Sequence, residues 1–509
     1  MNSSVRPCAK PQASGAAVSL VCCLATAVAA GDPAMHWEAQ PPIIPEPSGA
    51  TAYFGERVAL FGSLALIGDT RAASTVPDAG AAFLVDLESS QFLYRLVGPD
   101  GDINTTFGDA LALSANQIVV GDPLARHADE RRGAAYVFDV QSGELQYRLV
   151  PADLGSIDRF GYAAAIDDIH VVVSAPLAFN VSADGVIYIF DAATGEQLDK
   201  VYSPPDGNPG FFGSSLVLRE GILGVGAPGW SHSVGRLFTV DIDTGAINQH
   251  FATAPRYGGR MGDAVAMNHT FIIGGGAGNR YYTDDPGYAM VHDVATGNVV
   301  HTLESSRGAN YDRYGQSVAL NDDNLALIGA PDEHADHGVD GGAAYFVELN
   351  TGETLLRLTP SRWSPQADFG ESVALNEEWA LVGAPYSHSP ISVGSVYVYR
   401  RVPRELRIQT SDPCPGTIRV KASNATPGGR VALGASLTTG THVAWPGVCE
   451  GSILDISPPW IQGTPVIASA DASGVARFFI RVPQAWCDDL HMQAIDTATC
   501  HVSNLLMLN

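Results

Sequence analysis

Apolar and polar residues alternate along most of this chain in short runs with a period of two, the spacing that turns every second side chain onto one face of a β-strand. GGAAYFVEL (341–349) turns at Asn350-Thr351-Gly352 into ETLLRLTP (353–360). FGESVAL (369–375), a polar NEE, WALVGAP (379–385) and GSVYVYR (394–400) continue the pattern. These runs are rich in Val, Tyr, Phe and Leu, and predict half-buried antiparallel strands joined by tight turns. Helical periodicity does not interrupt them.

The runs recur as a unit. An aromatic residue followed by glycine opens it at Phe54-Gly55, Phe107-Gly108, Phe160-Gly161, Phe212-Gly213, Tyr314-Gly315 and Phe369-Gly370, with Met261-Gly262 filling the one gap. The glycines lie 53, 53, 52, 49, 53 and 55 residues apart. Within the unit a second turn recurs at Gln141-Ser142-Gly143, Ala193-Thr194-Gly195, Asp243-Thr244-Gly245 and Ala295-Thr296-Gly297, where glycine supplies a positive φ. The first unit has Ser89-Ser90 instead, which predicts a turn of another type. Four strands per unit, seven times over, predict an all-β fold: a seven-bladed β-propeller. The seventh unit stops after its third strand, at Arg401-Val402-Pro403, and the segment around Trp37-Glu38-Ala39-Gln40 has the register of the missing fourth. The N-terminal segment is thus expected to close the ring and remove two exposed sheet edges.

The aromatic-Gly opening, with Gly226-Ala227-Pro228, Gly329-Ala330-Pro331 and Gly383-Ala384-Pro385 closing the second strand, resembles the FG-GAP repeat over about residues 50–400. The resemblance implies the propeller found in integrin α subunits and in many exported bacterial proteins. It implies fold more than activity. Many such blades carry an Asp-x-Asp/Asn-x-Asp-Gly calcium loop between their first two strands. Here those loops read SANQ (114–117), DDIH (167–170), REG (219–221), NHT (268–270), NDDN (321–324) and NEE (376–378). None offers the alternating oxygens of a calcium site, so no calcium of the family type is expected.

Composition narrows the setting. Acidic residues outnumber basic ones 54 to 29, for a net charge of −25, which disfavours binding to nucleic acid or to an anionic membrane. Arg6 and Lys10 precede an apolar stretch from Gly15 to Ala30, with small residues at Ala27-Val28-Ala29. Residues 1–29 therefore read as a cleaved signal peptide, residues 30–403 as the propeller and residues 404–509 as a small sandwich-like β domain. No stretch is long and apolar enough to be a transmembrane segment. Cys414, Cys449, Cys487 and Cys500 all fall in the last region. In an exported chain they are candidates for two disulfides, with three pairings open.

No nucleophile elbow, zincin motif or P-loop is present, so neither catalysis nor a cofactor is expected. Candidate ligand residues lie on the loops after Gly-Ala-Pro and before aromatic-Gly, which the repeat should bring to one face. They are His127, Trp230, His232, Tyr281, Tyr282, His334, His337, Tyr386 and His388. The histidines form either a metal- or proton-sensing ring or solvated loops copied with the ancestral blade. Asp332-Glu333-His334-Ala335-Asp336-His337 is the densest group that could hold a metal, although no metal is called for. Asp100, Asp102 and Asn104 suggest an Asx-rich turn, and Asn104, Asn180, Asn268 and Asn424 are glycosylation sequons. The aromatics suit a carbohydrate or protein partner, or packing between loops. The expected function is that of a secreted or cell-surface binding protein. The alternatives are a propeller enzyme acting on extracellular glycans, as lyase or hydrolase, and a structural envelope component.

Overall fold

The computed structural model describes most of residues 35–403, apart from several loop segments, and the strand segments between 407 and 507. Every regular element among the described residues is a strand. Seven four-stranded antiparallel sheets follow one another in chain order as the blades of a propeller. Blade 6 is representative: Ser317–Leu320, Leu325–Ala330, Ala343–Glu348 and Glu353–Leu358. Its second and third strands are buried throughout, which explains their continuous apolar character, and its fourth faces solvent along most of its length. The first strand of each blade touches the first strand of the next, all the way round and back to blade 1. The seven first strands therefore line the central axis.

The aromatic-Gly motif explains how blades join. Tyr314 is 1% exposed and meets Tyr345 of its own third strand edge-on, with centroids 5.3 Å apart. Phe54, Phe107, Phe160, Phe212 and Phe369 pack on a third-strand aromatic in the same way. Such contacts add about 1 kcal/mol each beyond simple burial. The glycines permit backbone to touch backbone across the junction. Between blades 6 and 7, a Cβ on Gly329 would sit 2.0 Å from the Gly370 carbonyl oxygen, and one on Gly342 would sit 2.2 Å from that of Phe369. Gly370 in turn lies against Ala343 O and has a φ of +99°. The same three-glycine contact recurs at the other junctions, except that Ser174 replaces one glycine between blades 3 and 4.

Blade 7 is completed from the N-terminal side. Met35–Ala39 pairs antiparallel with Ser395–Pro403, from Met35 opposite Pro403 to Ala39 opposite Tyr399. Trp37 stacks on Phe346 of blade 6 at 4.7 Å and 16°. Gly383 and Gly394 meet the backbone of Gly55 and Phe54 as their counterparts do elsewhere, so the closing junction is built like the other six.

The turn in blade 1 differs from expectation. Ser90 takes a φ of +56°, close to the +68° to +75° of the glycines at the equivalent position, and Asp86 pairs with Gln91 as Glu348 does with Glu353. The turn type is unchanged. Asp86 accepts from the Glu88 amide at 3.2 Å and the Ser89 hydroxyl at 2.7 Å, and these bonds hold a serine in the left-handed region.

Beyond the propeller the described strands form a three-stranded sheet, a four-stranded sheet and a hairpin, all antiparallel. Val420, Ala422, Val431, Leu433, Phe478 and Met492 are buried there. The four cysteines and residues 1–34 lie outside the described residues.

Two measurements test this account of the ring. Gly329→Ala should lower stability by more than about 3 kcal/mol, because backbone cannot yield as a side chain would. Gly62→Ala, with nothing within 4 Å of the new methyl, should cost only about 1 kcal/mol for its φ of +54°. Equal losses in thermal melts would refute the junction argument. Removing residues 31–48 should strip the fourth strand from blade 7 and lower the melting temperature strongly; a truncated protein melting like the full chain would show that closure contributes nothing.

Candidate functional site

The residue that follows each motif glycine is polar in all seven blades: Glu56, Asp109, Tyr162, Ser214, Asp263, Gln316 and Glu371. It stands one or two residues before the innermost strand, where the blades converge. All but Glu56 line a central pit of about 540 Å³, and in blade 1 Arg57 enters it instead. Arg260 and Arg313 join them from the position just before Met261 and Tyr314 of the motif, each held there by a left-handed φ of +57°. The pit thus gathers three arginines and three carboxylates.

These charges are paired with defined geometry. Arg57 reaches from blade 1 to blade 2, with Nη2 2.9 Å from Asp109 Oδ1 and Nε donating to the Asp109 carbonyl at 3.0 Å. Arg260 grips Asp263 with two parallel bonds, of 2.9 and 2.6 Å. Arg313 donates to Glu371 at 3.4 Å and lies 3.6 Å from Asp332, while Gln316 donates to the other Glu371 oxygen at 3.1 Å. Burial works against the Arg57 charge, but Asp109, Glu56 and Glu371 outweigh it and keep the group protonated. Burial raises Asp263 and Glu371 above the usual carboxylate range, and the facing arginines pull back only part of the way. The Tyr162 phenol is raised by burial and then by Asp109. Water still reaches the pairs, since Arg57 keeps 40% of its side chain exposed and Asp109 21%.

A second pocket, of about 420 Å³, adjoins the pit and shares Asp109 with it. Its other walls include Tyr53, Glu56, Thr70, Arg71, Asp78 and Thr106. The Arg71 guanidinium lies 4.4 Å above the Tyr53 ring, and Tyr386 meets Tyr53 edge-on at 5.4 Å. Burial and the hydrogen bond with Tyr53 raise the Tyr386 phenol. Thr70 donates to Glu56 at 2.6 Å.

Of the nine residues that the sequence nominated, Tyr386 is described beside the second pocket, where it meets Tyr53 edge-on. His334 is exposed on the Pro331–His334 turn. Its neighbour Glu333 is turned away from the surface of that loop. It is 1% exposed, accepts from Arg357 at 2.8 Å and Ser305 at 3.2 Å, and also accepts from the Tyr345 hydroxyl. It serves the core of blade 6 and is closed to a surface metal. No group of three or more metal-binding side chains stands together among the described residues. Trp230, His232, Tyr281, Tyr282, His337, His388 and the His127 side chain lie outside the described residues, as do Asp100, Asp102 and Asn104.

The hairpins that hold calcium in similar blades are built differently here. Asn268, Asn321 and Asn376 each cap their own hairpin by accepting backbone amides, those of Phe271, Leu325 and Trp379. Their Nδ2 groups donate to the next blade at Asn321 O, Asn376 O and Gly62 O, with distances of 2.8, 3.4 and 2.8 Å. Asn268 is only 3% exposed, so its sequon is unavailable to glycan in the folded chain.

Residues 92–138, 298–347 and 355–399 match the FG-GAP repeat. The chain carries FG-GAP repeats. Each match runs from the outer strand of one blade to the third strand of the next, and so spans a junction. FG-GAP propellers generally serve as non-catalytic scaffolds for protein interaction and are typical of extracellular or surface proteins. No curated protein matches the chain. Among the described residues, no helix is long and apolar enough to cross a membrane.

Behind the Thr106 wall of the second pocket lies Asp122, 3% exposed, which accepts the Thr106 amide at 2.9 Å and the Leu124 amide at 3.2 Å. Burial outweighs these bonds and pushes its carboxyl up to about 6. The native state therefore holds a proton more tightly than the unfolded chain. Stability from this group is full below about pH 4, falls as pH rises toward 6, and is lower by up to about 3 kcal/mol above that. Asp122→Asn keeps an acceptor oxygen and removes the charge. Melting curves should show it stabilised at pH 7.5 and nearly neutral at pH 4; a variant equally shifted at both values would contradict the assignment.

Proposed function

We propose that this chain is an exported extracellular or cell-surface binding protein that takes its ligand on the face bearing the central pit and the adjoining pocket. One observation carries the reading: in six of the seven blades the polar residue after the motif glycine, and in blade 1 Arg57, lines one pit whose charges are fixed by reciprocal pairing. Such a surface is preorganised for recognition. An acid–base mechanism needs a carboxyl free to exchange protons with substrate, whereas Asp109, Asp263 and Glu371 are each engaged by an arginine. Removal of residues 1–29 on export, and an appended β domain from residue 404 stapled by Cys414, Cys449, Cys487 and Cys500, complete the proposal. The partner is an extracellular protein or a carbohydrate.

The test is a screen of the full-length protein against extracellular proteins and glycans, repeated with Arg260→Ala/Asp263→Ala and with Arg57→Ala. The double variant removes both members of a largely buried pair and leaves neither charge behind unpaired, so stability should change by only about 1–2 kcal/mol. Affinity for the captured ligand should fall about tenfold or more. Unchanged affinity in both variants would place the binding surface elsewhere, and turnover of a captured glycan would overturn the non-catalytic reading.

A further inference from the structure

We infer that the pocket between Tyr53, Arg71 and Asp78 is a subsite for a neutral saccharide, an inference that rests on the binding reading above. Two charged groups on its rim are uncommitted. Among the described residues, the Arg71 guanidinium makes neither hydrogen bond nor ion pair, only its stack on Tyr53, and the exposed Asp78 carboxylate likewise has no partner. Asp78 also sits at a φ of +53°, uncommon for a residue with a side chain. Glu56 uses one oxygen for Thr70 and retains the other.

This arrangement selects by charge. An anionic ligand meets two carboxylates, Glu56 and Asp78, against the one uncommitted guanidinium of Arg71, and approaches a protein of net charge −25. A cationic ligand meets that same guanidinium, stacked on Tyr53 beside the carboxylates. An apolar ligand finds little apolar wall besides Tyr53 in a pocket otherwise rimmed by carboxylates, hydroxyls and a guanidinium. A neutral polyhydroxy ring satisfies all three conditions. Its hydroxyls donate to Glu56 and Asp78 and accept from Arg71. The cavity, about 420 Å³, lies within the size range of small-ligand sites.

The experiment is an array of neutral, uronate-bearing and amino-sugar-bearing oligosaccharides, read with the full-length protein, Arg71→Gln and Tyr53→Ala. Neutral glycans should bind, with binding weakened at least tenfold in either variant. Arg71 is exposed, so its variant remains informative if Tyr53→Ala folds poorly. Binding of charged glycans alone, of no glycan, or of neutral glycans equally by Arg71→Gln would overturn the inference. If no glycan binds but a protein ligand is lost on Arg57→Ala, the subsite falls while the binding face stands; if neither class of ligand depends on this face, both fall.

Discussion

Each blade is fastened to the next where bare backbone lies against bare backbone, and everything else in the propeller is arranged around that contact. A methyl group on Gly329, Gly342 or Gly370 would occupy space already filled by a carbonyl oxygen. Because the contact is so close, the motif aromatic can bury itself fully on its own third strand, and the innermost strands can meet around the axis. Directional bonds reinforce the joint. Ser215, Ser317 and Ser372 each donate to the carbonyl of the next blade's motif glycine, at 2.8 to 2.9 Å. On the far side, the asparagine chain from Asn268 to Gly62 ties each hairpin to the next blade through side-chain amides.

That constraint explains what was legible in the sequence. A position where only glycine fits repeats in every blade, so the blade count, the phase of the strands and the closing strand around Trp37 could all be read from spacing and alternation. The turn at Ser89-Ser90 was misjudged because glycine was treated as necessary, whereas the Asp86 side chain can hold a serine in the same conformation.

The pit was missed for the opposite reason. Its residues share a register but not an identity: acid, tyrosine, serine and glutamine follow the motif glycine in different blades. A search for chemical motifs passes over such a set. The available signal was that the position is polar in all seven copies, just before residues that are mostly apolar. Arg57, Arg260 and Arg313 give still less warning, because they enter the pit from positions on either side of the motif. The Asp332–His337 run drew attention by density alone, and one of its acids proved to belong to the interior. Density of polar residues in a loop says little about which way each one points.

The strand donated by Met35–Ala39 has a consequence for how the molecule reaches its final form. Its partner, Ser395–Pro403, lies at the other end of the propeller in sequence, so the two meet only after every intervening blade has been made. Contacts of such separation are slow to form. Until they do, an incomplete ring presents a bare strand at blade 7 and an unmatched blade 1, both open to pairing with another chain. The last step of assembly is therefore the one most exposed to aggregation.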